Sequence, residues 1–336
     1  MGRTKLALLL IAIAVASAFA IYWGFHRETG EAERVIRVGY LRGDVHHASY
    51  FISKARDSWS KAGLRVRGYE FSAGPEEMEA FRAGELDFGF VGAPPAMTAI
   101  SRGTEVKIIA MVNLEGSSLV VRRDLYERGL VDIKGLRGRT IAMPLWGSIQ
   151  SVMLVDALSK ENITKEMVSL QEMPPADMVT LMEAKGIDAF IAWEPFPSLA
   201  VSKGVGVKLV ESSELWPNHP CCVLVASRRM VEGHPDLVEK FLKIHMEATK
   251  FIKEDPVGSA KILSQEIRVP EEVISMSFKS IKYSTRPEVD GILRFAEILY
   301  RLGLIKVKPG AAELFDLKFY EDLSGERIAS PQRAGA

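Results

Sequence analysis

The chain has 336 residues, 47% hydrophobic and 26% charged, and its 43 Lys and Arg are balanced by 43 Asp and Glu. This excludes a disordered chain, and without a basic excess it excludes a dedicated nucleic-acid binder. Its two Cys, adjacent at 221 and 222, exclude a disulfide scaffold and a CxxC zinc pattern, and the length suggests two domains of ordinary size.

Arg3 and Lys5 precede an uncharged run from Leu6 to Phe25. At the rise of a helix this run spans about 30 Å, the hydrocarbon thickness of a bilayer. Small-residue triplets at 16–18 and 18–20 offer sites for a signal peptidase. The run is longer than the core of a cleaved signal peptide, so residues 1–25 read as an uncleaved membrane anchor in preference to one. Tyr22 and Trp23 suit its interfacial end. The positive end stays inside, which places the bulk of the chain outside the cell. No Cys follows for lipid attachment, and no other segment is long enough to cross, so a channel or permease is excluded. Residues 26–34 are a charged spacer.

Beyond the spacer, Val35 to Tyr40 reads as a strand, followed by a helix from about His47 to Ala62 that stops at Gly63. Leu64 to Phe71 is a strand, Pro75 to Ala83 a helix, Leu86 to Val91 a strand, Pro94 to Arg102 a helix and Val106 to Met111 a strand. Such alternation predicts an α/β fold with a mainly parallel sheet covered on both faces.

An internal repeat is the strongest signal. Residues 83–109 (AGELDFGFVGAPPAMTAISRGTEVKII) align without a gap on residues 184–210 (AKGIDAFIAWEPFPSLAVSKGVGVKLV). Asp87 matches Asp188, Pro94 matches Pro195 and Gly103 matches Gly204. Two pseudo-symmetric lobes follow. After each copy comes a pair of small residues, a short apolar strand and basic residues: Ser117 to Arg123 and Cys221 to Arg229. These are candidate hinge crossings. Lobe one is expected to comprise 35–121 plus 228–320 and lobe two 122–221, with 222–227 as the returning hinge strand and 321–336 as a tail. Helical patterns at Pro235 to Glu254, Pro256 to Glu266 and Pro287 to Leu302 are expected to brace lobe one.

In parallel α/β sheets, ligands sit beyond the carboxyl ends of strands. That rule selects the loops Tyr40 to His47, Gly92 to Pro94, Pro144 to Ser151, Trp193 to Pro195 and Trp216 to Cys222. Backbone donors at Gly92 and Ala93, and at Gly147 and Ser148, suit an anion, although Ser148 also fits as a plain N-cap. Trp146, Trp193 and Trp216 could form an aromatic cage. Glu194 would hold an amine or position a water if it faces the cleft, and would otherwise serve the dipole of its own helix. His46, His47 and His219 are the densest His usage, but their spacing does not show convergence, so no metal is assigned. Cys221 and Cys222 are expected to pack as small residues beside the cleft. The sequence has no GxSxG, HExxH or P-loop, so no catalytic residue and no cofactor are expected.

VGYLRGDVHHASYFISKA, AFRAGELDFGFVGAPPAMTAISRG, LRGRTIAMPLWGSIQSVML, GIDAFIAWEPF and WPNHPCCVLVASRRM occur in that order. In order and spacing they resemble the extracytoplasmic substrate-binding proteins of ABC importers, in the nitrate/sulfonate/taurine/bicarbonate group, which includes thiamine-pyrimidine precursor binders. The resemblance covers about residues 35–320. It implies a two-lobed periplasmic-binding-protein-like fold of type II that closes over a small polar or anionic ligand. It implies a permease and an ATPase as partners, and we expect a monomer. By loop match it implies ligand contacts at Tyr40, His46, Gly92, Ala93, Trp146, Gly147, Ser148, Trp193, Glu194 and His219. The alternatives are a thiamine-pyrimidine precursor as ligand, an enzyme on the same fold, and a sensor domain.

Overall fold

A computed structural model describes residues 34–329; the expected anchor, nearly all of the spacer and the last residues of the tail lie outside them. Eleven strands run in chain order among the described residues: β1 (Val35–Leu41), β2 (Arg65–Phe71), β3 (Phe88–Gly92), β4 (Val106–Glu115), β5 (Ser117–Arg122), β6 (Thr140–Met143), β7 (Ser169–Glu172), β8 (Ala189–Trp193), β9 (Gly206–Glu211), β10 (Pro220–Ser227) and β11 (Ile281–Tyr283). They form two sheets, ordered β11-β4-β10-β3-β1-β2 and β7-β6-β8-β5-β9.

Apart from the edge strand β11, the sheets share one plan. Reading β4-β10-β3-β1-β2 against β9-β5-β8-β6-β7 pairs each strand with its counterpart. β3 runs parallel to β1 and antiparallel to β10, as β8 runs parallel to β6 and antiparallel to β5. The repeat copies fall at β3 and β8, one in each lobe. Asp87 and Asp188 enter those strands in the same way. The amide of Asp87 donates to the Arg37 carbonyl at 2.8 Å, and its Oδ2 accepts from the Arg37 amide at 2.9 Å. The amide of Asp188 donates to the Thr140 carbonyl at 2.9 Å, and its Oδ2 accepts from the Thr140 amide at 3.1 Å. An Asp at this point supplies two partners to the neighbouring strand where it would otherwise lack them.

The chain leaves the first sheet at Gly116, between β4 and β5, and returns through the short helix Ser212–Leu215 and residues 216–219 into β10. The boundaries set from sequence at 121/122 and 221/222 fall several residues after these crossings, and β10 lies wholly inside the first sheet. Gly116 has φ +93°, and a Cβ there would sit 2.3 Å from His46 Nε2, so this turn requires glycine.

The helix expected from His47 to Ala62 is broken. It runs Ala48–Ala55, halts at Asp57 with φ 53°, and resumes for one turn at Ser58–Lys61. This turn brings the buried Trp59 onto Phe241, whose ring also stacks on Phe88 at 4.2 Å. Phe241 belongs to the helix Pro235–Glu254, which packs on Ala48–Ala55 and braces lobe one. The helix Glu271–Ser277 instead packs on Phe196–Ser202 of lobe two, so the C-terminal part touches both lobes.

Candidate ligand-binding site between the lobes

Three helices point their N-termini into the gap between the sheets. Gly74–Arg82 follows β2, Ala93–Ser101 follows β3 with Gly92 as its N-cap, and Ile149–Lys160 follows β6 with Ser148 as its N-cap. Pro75 and Pro94 sit in the first turns, where a missing N–H is harmless. Ser148 Oγ accepts from the Ser151 amide at 3.2 Å, so the capping role read for it is real. Gly74, Gly92 and Ser148 all line the gap, and three helix dipoles thus present their positive ends to one point.

Of the sequence-derived candidates, His46, Gly92, Ser148 and Trp193 are brought together there. The indole Nε1 of Trp193 is buried and has no hydrogen-bond partner in the protein. The space at this point is small, about 20 Å³, room for one water. A Cβ on Gly92 would lie 3.2 Å from Ile149 Cδ1, so side chains of the two lobes nearly meet across it.

The other candidates sit elsewhere. Tyr40 stacks on Tyr50 at 4.4 Å, away from the gap. Ala93 lies inside the first turn of its helix, behind Gly92. Trp146 and Gly147 line a separate outer groove with Met78 and Arg102, where Trp146 is partly exposed. His219 packs edge-on against Phe295, and its Nδ1 pairs with the Pro220 carbonyl oxygen at 3.0 Å. Glu194 is fully buried: its Oε1 lies 2.7 Å from Lys208 Nζ, and its Oε2 accepts from the Ser198 amide and the Ser277 hydroxyl, each at 3.2 Å. Its backbone joins the lobes, the amide donating to the Gly116 carbonyl at 3.0 Å and the carbonyl accepting from Val45 at 3.3 Å.

Among the lining residues not singled out from sequence are Asp44, Gly74, Ile149 and Gln150, and Cys222, expected beside the cleft, lines it too. Asp44 and Gln150 each stand two residues from a candidate, and their polarity was the available signal. Gln150 is held by Ser117 Oγ at 2.8 Å. Asp44 caps the turn Val45–His47 by accepting from the His46 amide at 2.8 Å.

Burial raises the Asp44 carboxyl to about 7, although His46 opposes the rise. Burial lowers the His46 imidazole, but the Cys221 sulfur and Asp44 outweigh it and bring it to about 9. Burial would raise the Cys221 thiol, yet its hydrogen bond with Cys222 and the neighbouring His46 charge carry it well below the ordinary thiol value. Cys222 is pushed well above that value by burial and by Cys221. On the pocket floor the donor atoms of His46, Cys221 and Cys222 lie within 4.8 Å of one another, beneath three helix N-termini suited to an anion.

Two pseudo-symmetric α/β lobes joined by two crossings, with a polar gap between them, define a periplasmic-binding-protein-like fold. The chain belongs to the NMT1-like family, whose model matches residues 29–268. A Bacillus subtilis (strain 168) protein named for binding aliphatic sulfonates is 28% identical over 272 residues, covering 78% of this chain and 80% of that one. The alkanesulfonate-binding protein SsuA from Xanthomonas axonopodis pv. citri, solved with MOPS, superimposes with a TM-score of 0.73 at 21% identity, over 84% of this chain and 98% of that one. The periplasmic nitrate-binding protein NrtA from Synechocystis PCC 6803 superimposes with a TM-score of 0.76 at 18% identity, over 87% and 88%.

Proposed function

We propose that this chain is the extracytoplasmic solute-binding component of an ABC importer, and that it captures a small anion of the sulfonate or nitrate kind between its lobes. The observation that carries this reading is the meeting of three helix N-termini at one gap, where aligned dipoles favour negative charge. The unpartnered Trp193 indole adds a directional donor at the same place. The names of the relatives point to the same ligand class.

The mechanism is a hinge motion. The gap holds about one water as it stands, so a ligand enters when the lobes part at Gly116 and 212–219 and is retained when they close. Residues 1–25 would tether the monomer to the membrane beside a permease and its ATPase. No helix among the described residues is long and apolar enough to cross a membrane. The relatives described above are named as binding proteins, and no residue here is assigned a catalytic step.

Calorimetric titration of the purified chain with ethanesulfonate, nitrate and bicarbonate tests the reading. Saturable one-to-one binding of at least one anion is expected. If none of the three binds while an uncharged solute or a cationic pyrimidine does, the anion reading fails.

A further inference from the structure

Beneath the gap, a histidine and two cysteines from two distant segments meet at one point, with Asp44 beside the histidine. Asp44 and His46 come from the loop after β1, and Cys221 and Cys222 from the start of β10. All four are buried. His46 Nδ1 lies 3.5 Å from Cys221 Sγ and 3.8 Å from Cys222 Sγ, and the two sulfurs are 3.9 Å apart. Asp44 Oδ1 lies 3.6 Å from His46 Nδ1. We propose that His46, Cys221 and Cys222 supply three ligands of a four-coordinate binding site for a thiophilic divalent cation, with zinc the ion it fits best.

The spacing carries the argument. Zinc bound tetrahedrally at the usual bond lengths sets its sulfur ligands about 3.8 Å apart and a sulfur and an imidazole nitrogen about 3.6 Å apart. The three distances among Cys221, Cys222 and His46 fall within a few tenths of an ångström of those values. Side chains of adjacent residues in a regular strand point to opposite faces. Here the pairing of β10 with β4 is irregular on both sides of Cys222, and both thiols reach the same imidazole nitrogen. The sulfurs are free thiols, too far apart to be bonded.

The surroundings orient the imidazole as a ligand. His46 Nε2 lies 2.8 Å from the Gly116 carbonyl oxygen, which only accepts, so the hydrogen there is fixed on Nε2 and Nδ1 faces the sulfurs. His47 is excluded by the same logic. Its Nδ1 accepts from the Leu41 amide at 3.1 Å, so neutral His47 carries its hydrogen on Nε2, 3.7 Å from Asp44 Oδ2. It is a neighbour of the carboxylate and not a ligand. Soft thiolates with imidazole in a tetrahedral set select zinc over magnesium or calcium. Binding displaces the Cys222 thiol proton and the single proton shared between Cys221 Sγ and His46 Nδ1. All three ligands lie in lobe one, so the set is assembled without lobe closure; His46 and Cys222 also line the gap, but the inference does not rest on the anion reading.

The test uses the full-length chain, stripped with a chelator under reducing conditions, with no solute added. Cobalt(II) should give the intense visible bands of a four-coordinate ion and a near-ultraviolet thiolate charge-transfer band, both abolished by one equivalent of zinc. Elemental analysis should return one zinc per chain. Cys221→Ser, Cys222→Ser and His46→Gln should each weaken zinc binding by about a hundredfold or more. His219→Gln, which leaves the cluster whole, should not. A wild-type cobalt spectrum without the charge-transfer band overturns the site whether or not the variants fold. Full zinc binding in folded Cys221→Ser/Cys222→Ser overturns it equally. Failure of anion binding leaves this result untouched.

Discussion

The ammonium of Lys208, on β9, lies 2.7 Å from Oε1 of Glu194, the residue that follows β8. Glu194 is fully buried, and Lys208 also reaches Glu211 at 2.9 Å. The carboxylate therefore serves the junction between lobe two and the helix that carries Ser277. Glu194→Gln should destabilise the fold by about 2 kcal/mol, seen as a lower denaturant midpoint, while leaving ligand selectivity unchanged. Burial works against the charge of Lys208, but Glu194 and Glu211 outweigh it and raise its pKa above the ordinary 10.5. A base raised on folding stabilises below its unfolded value and ceases to do so as pH climbs through the folded one. Wild type should therefore lose stability in strong alkali, and Glu194→Gln should lose less.

Trp193→Phe keeps the ring and removes the unpartnered N–H. If that N–H grips the anion, the affinity for a sulfonate should fall about tenfold while the melting temperature hardly moves. Paired calorimetry and thermal melts check this. Unchanged affinity would take Trp193 out of the binding set.

Asp87 accepts from Arg37 Nε at 3.0 Å and from an Arg229 nitrogen at 2.6 Å. Burial alone would raise this carboxyl, yet the hydrogen bonds and charges of Arg37 and Arg229 hold it below the usual 3.8. A depressed acid stabilises above its unfolded value and loses that contribution as pH falls through the folded one. Asp87→Asn should cost about 1–3 kcal/mol at neutral pH and flatten the acid limb of the stability profile. Asp188→Asn should cost less, because Asp188 is more exposed and its Arg122 partner stands off at 3.4 Å. Equal costs would show that the strand-entry bonds common to both copies outweigh the arginines.

Glu77 is buried against the first sheet, and neither carboxyl oxygen has a hydrogen-bond partner. Gly39 and Gly89 make its room: a Cβ on either would stand within 2.5 Å of Glu77 Oε1. Burial and Asp44 push this acid well above its ordinary 4.5. The folded state then keeps a proton that the unfolded state releases, so stability is greatest in acid and falls as pH rises above 4.5. Glu77→Met should remove that fall and raise neutral-pH stability by about 1–3 kcal/mol. A variant less stable than wild type at neutral pH would show that the carboxyl has a partner after all.

Gly116→Ala places a methyl against His46 Nε2 and Ile281 Cγ1 at a positive φ. It should cost about 2 kcal/mol or more. Gly129→Ala, also at positive φ but with open space around its Cβ position, isolates the backbone part of that cost. Denaturant titrations of the two variants should separate strain from collision, and equal losses would argue against the His46 contact.

Punctuation made the fold legible. Pro235 to Glu254 is the helix read from sequence, residue for residue, because Pro opens it and an apolar stripe carries it through. The Asp, Pro and Gly shared by the two copies carried the lobe symmetry. The break at Asp57 was invisible because no Gly or Pro marks it; tertiary packing of Trp59 on Phe241 sets it. Loop position located His46, Gly92, Ser148 and Trp193 at the gap but could not say which way a side chain turns, and so it included Tyr40 and Glu194. Lys208 is 14 positions from Glu194, and Cys221 is 175 from His46. Neither pairing leaves a local trace, since each is created only when the strands assemble into their sheets.

The place of β10 has a consequence for synthesis. The second sheet is built from one uninterrupted stretch, β5 to β9, whereas β10 lies between β3 and β4 of the first. A ribosome completes every strand of lobe two before it supplies the strand that joins β3 to β4. Until Ser227 has emerged, lobe one is a three-stranded piece β3-β1-β2 and a lone β4 with facing edges unsatisfied, the first bordered by Gly89 and Phe90 and the second by Ala110 and Met111. The lobe that begins first therefore finishes last, and the nascent chain has an exposed slot that a chaperone or a neighbouring strand could fill for as long as translation takes to cross lobe two.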